Sequence, residues 1–277
     1  MGKRSITFLA IMNKGQISNA LRRLGLLYSL DKVRYKLQQR SNKTANAKFK
    51  KENPAIALPP DYLMYESFQL DYDKYYSGGL DTAKWLIELL EEHTDLKEKN
   101  ILDWGCGPAR IVRHLPHLTN YRSTINATDY NVESIKWCKE HIEGVEFNLN
   151  GLDATLPYND AAFDVIYGIS IFTHLSEEMH TAWIKELTRI LKDDGILLLT
   201  MQGENFRPKL SSAEKIKFDT GELILRGNVK EGHRTYSAFH PDKYLYELFD
   251  HLTILEKLVI DATNKNYTPQ DTWILKK

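Results

Sequence analysis

Ile101-Leu-Asp103-Trp-Gly105-Cys-Gly107-Pro-Ala109-Arg110 decides the reading of this chain. An apolar run ends in Asp103 and breaks into a turn that carries Gly105 and Gly107. A helical pattern opens at Pro108 and continues through Ile111, Val112 and Leu115. Strand, glycine turn and helix together hold a nucleotide-like ligand against a parallel sheet. The glycines let the backbone approach the ligand, and the helix start offers free N–H groups.

Two cofactor classes fit such a turn. A dinucleotide fingerprint requires glycine at 105, 107 and 110, but position 110 is Arg, whose bulk spoils close helix–strand packing. That disfavours a dehydrogenase. S-adenosylmethionine (SAM) has no pyrophosphate, and Asp103-x-Gly105-x-Gly107-x-Ala109 suits its shorter turn. The acidic residues downstream of the turn support this choice. Residues 123–129 read as a strand ending in Asp129, 22 residues beyond Gly107, near the spacing of a carboxylate that accepts ribose hydroxyls. Asp153 follows a short strand at 145–149. Residues 163–170 form an apolar run typical of a buried parallel strand. A helix over 176–191 leads through the turn 192–195 into a strand over 196–201. One such Asp could merely end a strand, but three at successive strand ends favour cofactor binding.

On these residues the chain resembles the class I SAM-dependent methyltransferases of the small-molecule and glycan type, over roughly residues 78–277. The resemblance implies a Rossmann-like α/β fold: a seven-stranded, mostly parallel sheet with helices on both faces and the last strand antiparallel. It implies SAM as cofactor, with Asp103 near the methionine amino group and Gly105 and Gly107 under the cofactor. Asp129, followed by Tyr130, would hold the ribose, and Asp153 with Ala154 would border the adenine.

The full length of 277 residues with 42% apolar content allows one large α/β core with appendages. Cys106 and Cys138 form no metal-ligand or C-x-x-C pattern, so no metal site and a reducing, cytoplasmic setting are expected. No apolar run approaches the ~20 residues of a spanning helix. Ser5–Met12 imitates a short signal core without a convincing cleavage site, and Ile6 breaks the acylation pattern.

The zero net charge hides an asymmetry. Residues 1–60 carry 13 Lys and Arg against Asp31 and Glu52, leaving +11 there and −11 on the rest. Ile17, Ala20, Leu21, Leu24, Leu27 and Tyr28 fall at helical spacing among these basic residues, as two helices broken near Ser29. This arm, closed by Pro54, Pro59 and Pro60, has three candidate partners: the acidic domain, an anionic inner-membrane surface, or nucleic acid. The last ranks lowest, because the segment has few aromatics for stacking.

Residues 61–79 are rich in tyrosine and precede a helix over 80–92. The resemblance places a lid there, with Tyr75 and Tyr76 as substrate contacts. Residues 202–239 interrupt the family pattern with strand-like 222–226 and 234–239, a hairpin inserted to cap the acceptor site. The domain proper then spans 61–277. A helix over 242–249 follows Pro241, and strands over 252–260 and 272–275 close the sheet. His174, just past the fourth strand, is the candidate general base for a hydroxyl acceptor. His233 and Tyr236 are candidate substrate contacts, and His233 and His240 are weaker candidate bases.

The fourth-strand position reads Tyr167-Gly-Ile-Ser170 and lacks the Pro-Pro-aromatic loop of base amino methylation. No Pro-Cys pair exists for attack on cytosine C5. A nucleic-acid acceptor is therefore not expected. The basic leader, Leu58-Pro-Pro, Tyr75-Tyr-Ser-Gly-Gly and Pro269-Gln-Asp-Thr-Trp-Ile-Leu are similar to bacterial methyltransferases of surface-polysaccharide biosynthesis. A non-catalytic SAM-binding protein or scaffold would keep the same cofactor residues but show a closed acceptor pocket.

Overall fold

The computed structural model describes residues 27–227, 229, 231–261 and 267–277. Seven strands form one sheet: β1 (Asn100–Trp104), β2 (Thr124–Asp129), β3 (Glu146–Leu149), β4 (Phe163–Gly168), β5 (Leu191–Met201), β8 (Thr253–Leu258) and β9 (Asp271–Lys276). Their order is β3-β2-β1-β4-β5-β9-β8. The pairs from β3 to β5 are parallel, and β9 runs antiparallel to both β5 and β8. The sheet is the one the sequence implies, with the chain order reversing between β1 and β4. Ligands bind at such a reversal, beyond the carboxyl ends of the strands.

Alternation along each strand feeds two cores. Ile101, Ile125, Val165, Ile196, Leu198 and Ile274 join one cluster, with Leu86 and Leu90 packed on them. Leu102, Trp104, Ile166, Leu197, Leu199 and Trp273 join the other, under Trp183, Ile184 and Leu187. Both faces of the sheet are thus covered, as an all-apolar parallel strand requires.

Helices α1 (Leu27–Ser41) and α2 (Lys43–Glu52) precede the proline joint, and α3 (Asp61–Ser67) and α4 (Tyr72–Glu91) follow it. The expected break near Ser29 is absent, because α1 is continuous through it; the rest of the 17–28 pattern lies outside the described residues. The region read as a lid followed by a helix is instead α3 and a longer α4, which the Asp71 side chain caps by accepting from Lys74 N (3.1 Å). Ser77, Gly78 and Gly79 therefore lie inside α4.

The helix expected from Pro108 starts later. Ala109 adopts φ +61°, which no right-handed helix contains, so a 3-10 turn at Val112–His114 and the short α5 (Leu115–Leu118) follow the loop. Helix α6 (Val132–His141) links β2 to β3, and α7 (Glu177–Ile190) falls where the pattern puts it. Ser176 caps α7 by accepting from Met179 N. The turn 192–195 is a bulge within β5, with Asp194 at φ +64° and pairing to β4 on both sides of it. The insertion holds α8 (Ser212–Asp219) and a two-stranded ribbon of β6 (Ile224–Arg226) and β7 (Ser237–Phe239); α9 (Asp242–Leu248) follows. Among the described residues no helix is long and apolar enough to cross a membrane.

Candidate cofactor and acceptor site

The glycine turn is tied down by its neighbours. Gly105 N and Cys106 N both donate to the Thr128 carbonyl, at 2.8 and 2.9 Å, which locks the turn to β2. Gly105 sits at φ +83°, which L side chains rarely adopt, and a Cβ there would displace the Ile171 side chain, whose Cδ1 is 2.2 Å away. Gly107 N donates to Asp129 Oδ2 and Asn131 N to Asp129 Oδ1, both at 2.8 Å. One carboxylate thus holds the glycine turn and the start of α6 together. Burial raises its pKa, against the stabilising backbone donors.

Asp103 is the unusual group. It is buried at the end of β1, and burial, with the Asp129 charge adding to it, pushes its pKa up to about 7. Arg110 and the adjacent Tyr167 hydroxyl oppose that shift. Burial also raises the Cys106 thiol, keeping it protonated and unsuited to nucleophilic attack.

Two cavities meet at Gly105. The larger, about 670 Å³, lies between the turn, one face of α4 and the carboxyl ends of β4 and β5. Lys74, Gly78, Asp81, Thr82 and Trp85 line it from α4, at helical spacing. Its floor is a hydrogen-bonded set: Thr200 Oγ1 donates to Gln270 Oε1 (2.7 Å), Gln270 Nε2 to Ser170 Oγ (2.7 Å), and Ser170 N to Thr200 Oγ1 (2.8 Å). Phe68, Trp85 and Tyr267 supply aromatic walls, and Arg110 reaches across to Thr82 Oγ1 (3.2 Å) with its guanidinium over Phe68.

The smaller cavity, about 70 Å³, lies beyond the ends of β2 and β3. Asp129, Tyr130, Asn150, Leu152 and His174 help to line it, and Gly232 of the insertion closes it. Burial raises the Tyr130 hydroxyl to about 12, and that group donates to the Gly232 carbonyl (3.0 Å).

Several expected contacts fall elsewhere. Tyr75 is fully buried with its hydroxyl donating to the Pro108 carbonyl, and Tyr76 packs edge-on against His114 (4.9 Å). They fasten α4 to the turn and do not line the larger cavity. Asp153 is exposed and outside both cavity linings, and Ala154 packs on the core; Asn150–Leu152 stand in their place. His174 lies in the wall of the smaller cavity and does not line the larger one. Its 3-10 turn (Phe172–His174) carries it toward the insertion, where its Nδ1 donates to the Tyr236 carbonyl (2.9 Å). Burial lowers its pKa. Tyr236 is buried in the insertion, and His233 faces Glu66 at 3.9 Å. His240 is buried against His180, its pKa lowered by burial, and lines neither cavity. The loop around Gly232 thus roofs the smaller cavity and not the larger one.

A buried carboxylate at Asp103 with no cation bonded to it among the described residues, a second at Asp129, and a glycine turn between them suit a cationic, nucleoside-bearing ligand. Residues 102–199 match a known family, described as a methyltransferase domain. They form a class I SAM-dependent methyltransferase domain. The chain is 29% identical over 159 residues to a tRNA N(3)-methylcytidine methyltransferase of Schizosaccharomyces pombe, covering 54% of this chain and 50% of that protein. It therefore spans about half the length of that relative. It is 23% identical over 199 residues to a ubiquinone biosynthesis O-methyltransferase of Rickettsia bellii, covering 69% of this chain and 75% of the relative. A SAM-dependent methyltransferase from Methanosarcina mazei shares the fold, with a TM-score of 0.52 at 19% identity, over 68% of this chain and 96% of that one.

SAM is the cofactor of such a domain, and supplies an electrophilic methyl group on a sulfonium. With a tRNA methyltransferase among the relatives, the expectation that nucleic acid plays no part is not supported. The α4 face and the Ser170–Thr200–Gln270 floor escape sequence reading. The signal for the first is Gly79, where a Cβ would lie 2.2 Å from the Arg110 carbonyl oxygen, so helix and turn must touch.

Proposed function

We propose that the chain methylates a hydroxyl of a small-molecule or glycan-like acceptor held in the larger cavity. The floor of Ser170, Thr200 and Gln270 carries this reading. It offers neutral donors and acceptors beside the glycine turn, opposite the aromatic faces of Phe68, Trp85 and Tyr267. Neutral amides and hydroxyls match sugar or phenol hydroxyls, and flat rings cover their apolar faces. The open 670 Å³ cavity favours catalysis over a SAM-binding scaffold. The O-methyltransferase of Rickettsia bellii supports the same acceptor atom, and the polysaccharide-type pattern around Leu58 and Pro269 favours a surface glycan.

Within this reading Asp103 and Asp129 hold the cofactor, while Tyr130, Asn150 and Leu152 border its nucleoside end. His174 acts on that side too: with Nδ1 donating to a carbonyl, its Nε2 is left as an acceptor toward the smaller cavity. Transfer is an in-line displacement whose rate rests chiefly on proximity and orientation. The acceptor oxygen bonds to the methyl carbon as the carbon–sulfur bond breaks, and the acceptor proton leaves to solvent.

A labelled-methyl assay with glycan, lipid-linked glycan, phenolic and tRNA acceptors tests this. Thr200→Val and Gln270→Ala should raise acceptor KM with SAM affinity unchanged, and His174→Gln should do the reverse. Transfer to tRNA alone, or a loss of kcat of roughly 10²–10⁴ in His174→Gln at unchanged SAM affinity, as a lost general base would give, overturns the assignment.

A further inference from the structure

Helix α1 has one face bound to the protein and an opposite face bound to nothing described. On the inner face Asp31 Oδ1 accepts from the Tyr65 hydroxyl (2.7 Å), and Tyr35 packs edge-on against Tyr62 and at a tilt against Tyr65. Gln38 Oε1 accepts from Leu70 N (3.0 Å) and Gln39 Nε2 donates to Asp61 (3.2 Å). The arm is therefore seated on α3 and the loop after it by aromatic and polar contacts, with Asp31 also 4.0 Å from Arg234 Nε of the insertion, and not by its positive charge.

The outer face carries Leu30, Val33 and Leu37, exposed by 43%, 55% and 60%. Their i, i+3, i+7 spacing makes a continuous apolar stripe. At 100° per residue, Lys32, Lys36 and Arg40 fall along one side of it and Arg34 along the other, all exposed. Asp31, the acidic residue of α1, is turned inward. Lys43, Lys48, Lys50 and Lys51 extend the exposed positive charge along α2, with Glu52 paired to Lys48 at 3.8 Å.

We propose that this face of α1 docks on an anionic lipid surface, with Leu30, Val33 and Leu37 entering the headgroup–acyl boundary and the flanking cations on the lipid phosphates. A basic border around an aliphatic stripe is the pattern of a helix lying in the interface plane. A second copy of the chain fits poorly, because like charges would meet along both borders of the stripe. Nucleic acid fits poorly too, because three aliphatic residues at its centre give bases no ring to stack on. Since α1 rests on α3, whose end at Ser67 and Phe68 borders the larger cavity, docking brings that cavity close to the lipid surface. The proposal does not depend on which acceptor the cavity takes.

The test is co-sedimentation of the full chain with vesicles of phosphatidylcholine, alone or mixed with phosphatidylglycerol. Salt of about 0.1 M and about 1 M is compared, where the screening length falls from ~10 Å to ~3 Å. Binding to the anionic vesicles at low salt is expected, lost at high salt and absent from the neutral vesicles. The double variant Val33→Glu/Leu37→Glu should lose at least tenfold in vesicle affinity at unchanged Tm and SAM affinity. Lys32→Gln/Lys36→Gln/Arg40→Gln should weaken binding and flatten its salt dependence, independently of any packing effect of the first variant. No binding by the native chain, native-like binding by both variants, or dimerisation without lipid that the Glu variant abolishes would each overturn the proposal, as would tRNA displacing the chain from vesicles in a stripe-independent manner.

Discussion

The two cavities that meet at Gly105 are covered in opposite ways. Over the larger one, helix α4 presses directly on the glycine turn, with Gly79 at the contact and the Tyr75 hydroxyl bonded to Pro108. Over the smaller one lies a loop of the insertion held by separate polar links. Gly232 N donates to the His174 carbonyl (2.9 Å), Tyr130 donates to the Gly232 carbonyl, and Arg234 donates to the Tyr65 carbonyl while lying over the Tyr65 ring. A roof of packed backbone is stiff, because moving it breaks many contacts together. A roof of a few hydrogen bonds opens at the cost of those bonds. A space of about 70 Å³ holds a few waters and no nucleoside. With the nucleoside in the smaller cavity, as proposed, the loosely held roof is the one that must move when cofactor enters.

The largest effect belongs to the carboxylate that lines the smaller cavity and holds the glycine turn. Asp129→Ala removes the acceptor of Gly107 N and Asn131 N together with the expected ribose contact. At about 1.5–3 kcal/mol for each charge-assisted hydrogen bond before water compensates, SAM affinity should fall tenfold or more by calorimetric titration. A folded Asp129→Ala protein with native affinity would break the assignment of the smaller cavity to the nucleoside.

Neighbouring glycines in α4 test the stiff roof. Gly79→Ala would put a Cβ 2.2 Å from the Arg110 backbone oxygen, so helix or turn must shift, at about 1–3 kcal/mol for overpacking. Gly78 has nothing within 4 Å of such a Cβ, so Gly78→Ala should gain about 0.5–1 kcal/mol from helix propensity. Thermal melts of the pair should move in opposite directions. Equal shifts would mean that α4 does not bear on the turn.

Arg234→Ala tests the other roof. It cuts the link from the insertion to α3, so SAM should associate and dissociate faster in stopped-flow, with the equilibrium constant changed by less than about tenfold, or 1.4 kcal/mol. Unchanged rates would show that another wall opens.

Protonation separates the turn from the far core. Burial raises the Asp103 carboxyl to about 7, so it ionises as pH rises through neutrality and gains attraction for a cationic cofactor. SAM affinity should fall a few-fold between pH 8 and pH 6.5, and a flat profile would remove Asp103 from the site. In the cofactor-free protein the sign is reversed: the folded carboxyl holds its proton above the unfolded pKa, so stability declines as pH rises from about 4 to about 7. His180, which burial lowers to about 4, acts oppositely. The unfolded imidazole takes a proton near 6.5, so stability is lost as pH falls from there toward 4. Replacing His180 with Gln should flatten that acid limb.

The same division governs what the sequence discloses. The sheet, its two cores and two of the strand-end carboxylates are legible because burial on both faces forces apolar runs and the turn requires glycine at 105 and 107, whereas Asp153 falls outside both cavities. Asp103 and Asp129 sit where that logic puts them. The cover is not legible, because it is made by distant segments meeting. Tyr75 looks like a ligand contact until α4 begins at Tyr72 and turns it inward, and His174 looks like a base until its carbonyl and ring bind the insertion. Thr200 and Gln270 are 70 residues apart and carry no local pattern.

The last position of the Asp103-x-Gly105-x-Gly107-x-Ala109 turn gives the smallest effect and the closest test of the turn itself. Ala109 stands there at φ +61°, a conformation that costs an L-residue roughly 1–2 kcal/mol. Ala109→Gly removes that cost. It also loses about 0.5–1 kcal/mol through the freer unfolded backbone, and about 0.8 kcal/mol of methyl burial, since Ala109 is fully buried in the core cluster beneath α4. The terms nearly cancel, so stability should change by less than about 0.5 kcal/mol, a thermal shift of no more than ~2 °C, with SAM affinity unchanged. A gain above 1 kcal/mol would mean that the turn is held strained by α4, extending the stiff roof into the loop. A comparable loss would mean that the methyl is part of the contact by which α4 grips the turn, with position 109 chosen for packing and not for freedom of the chain.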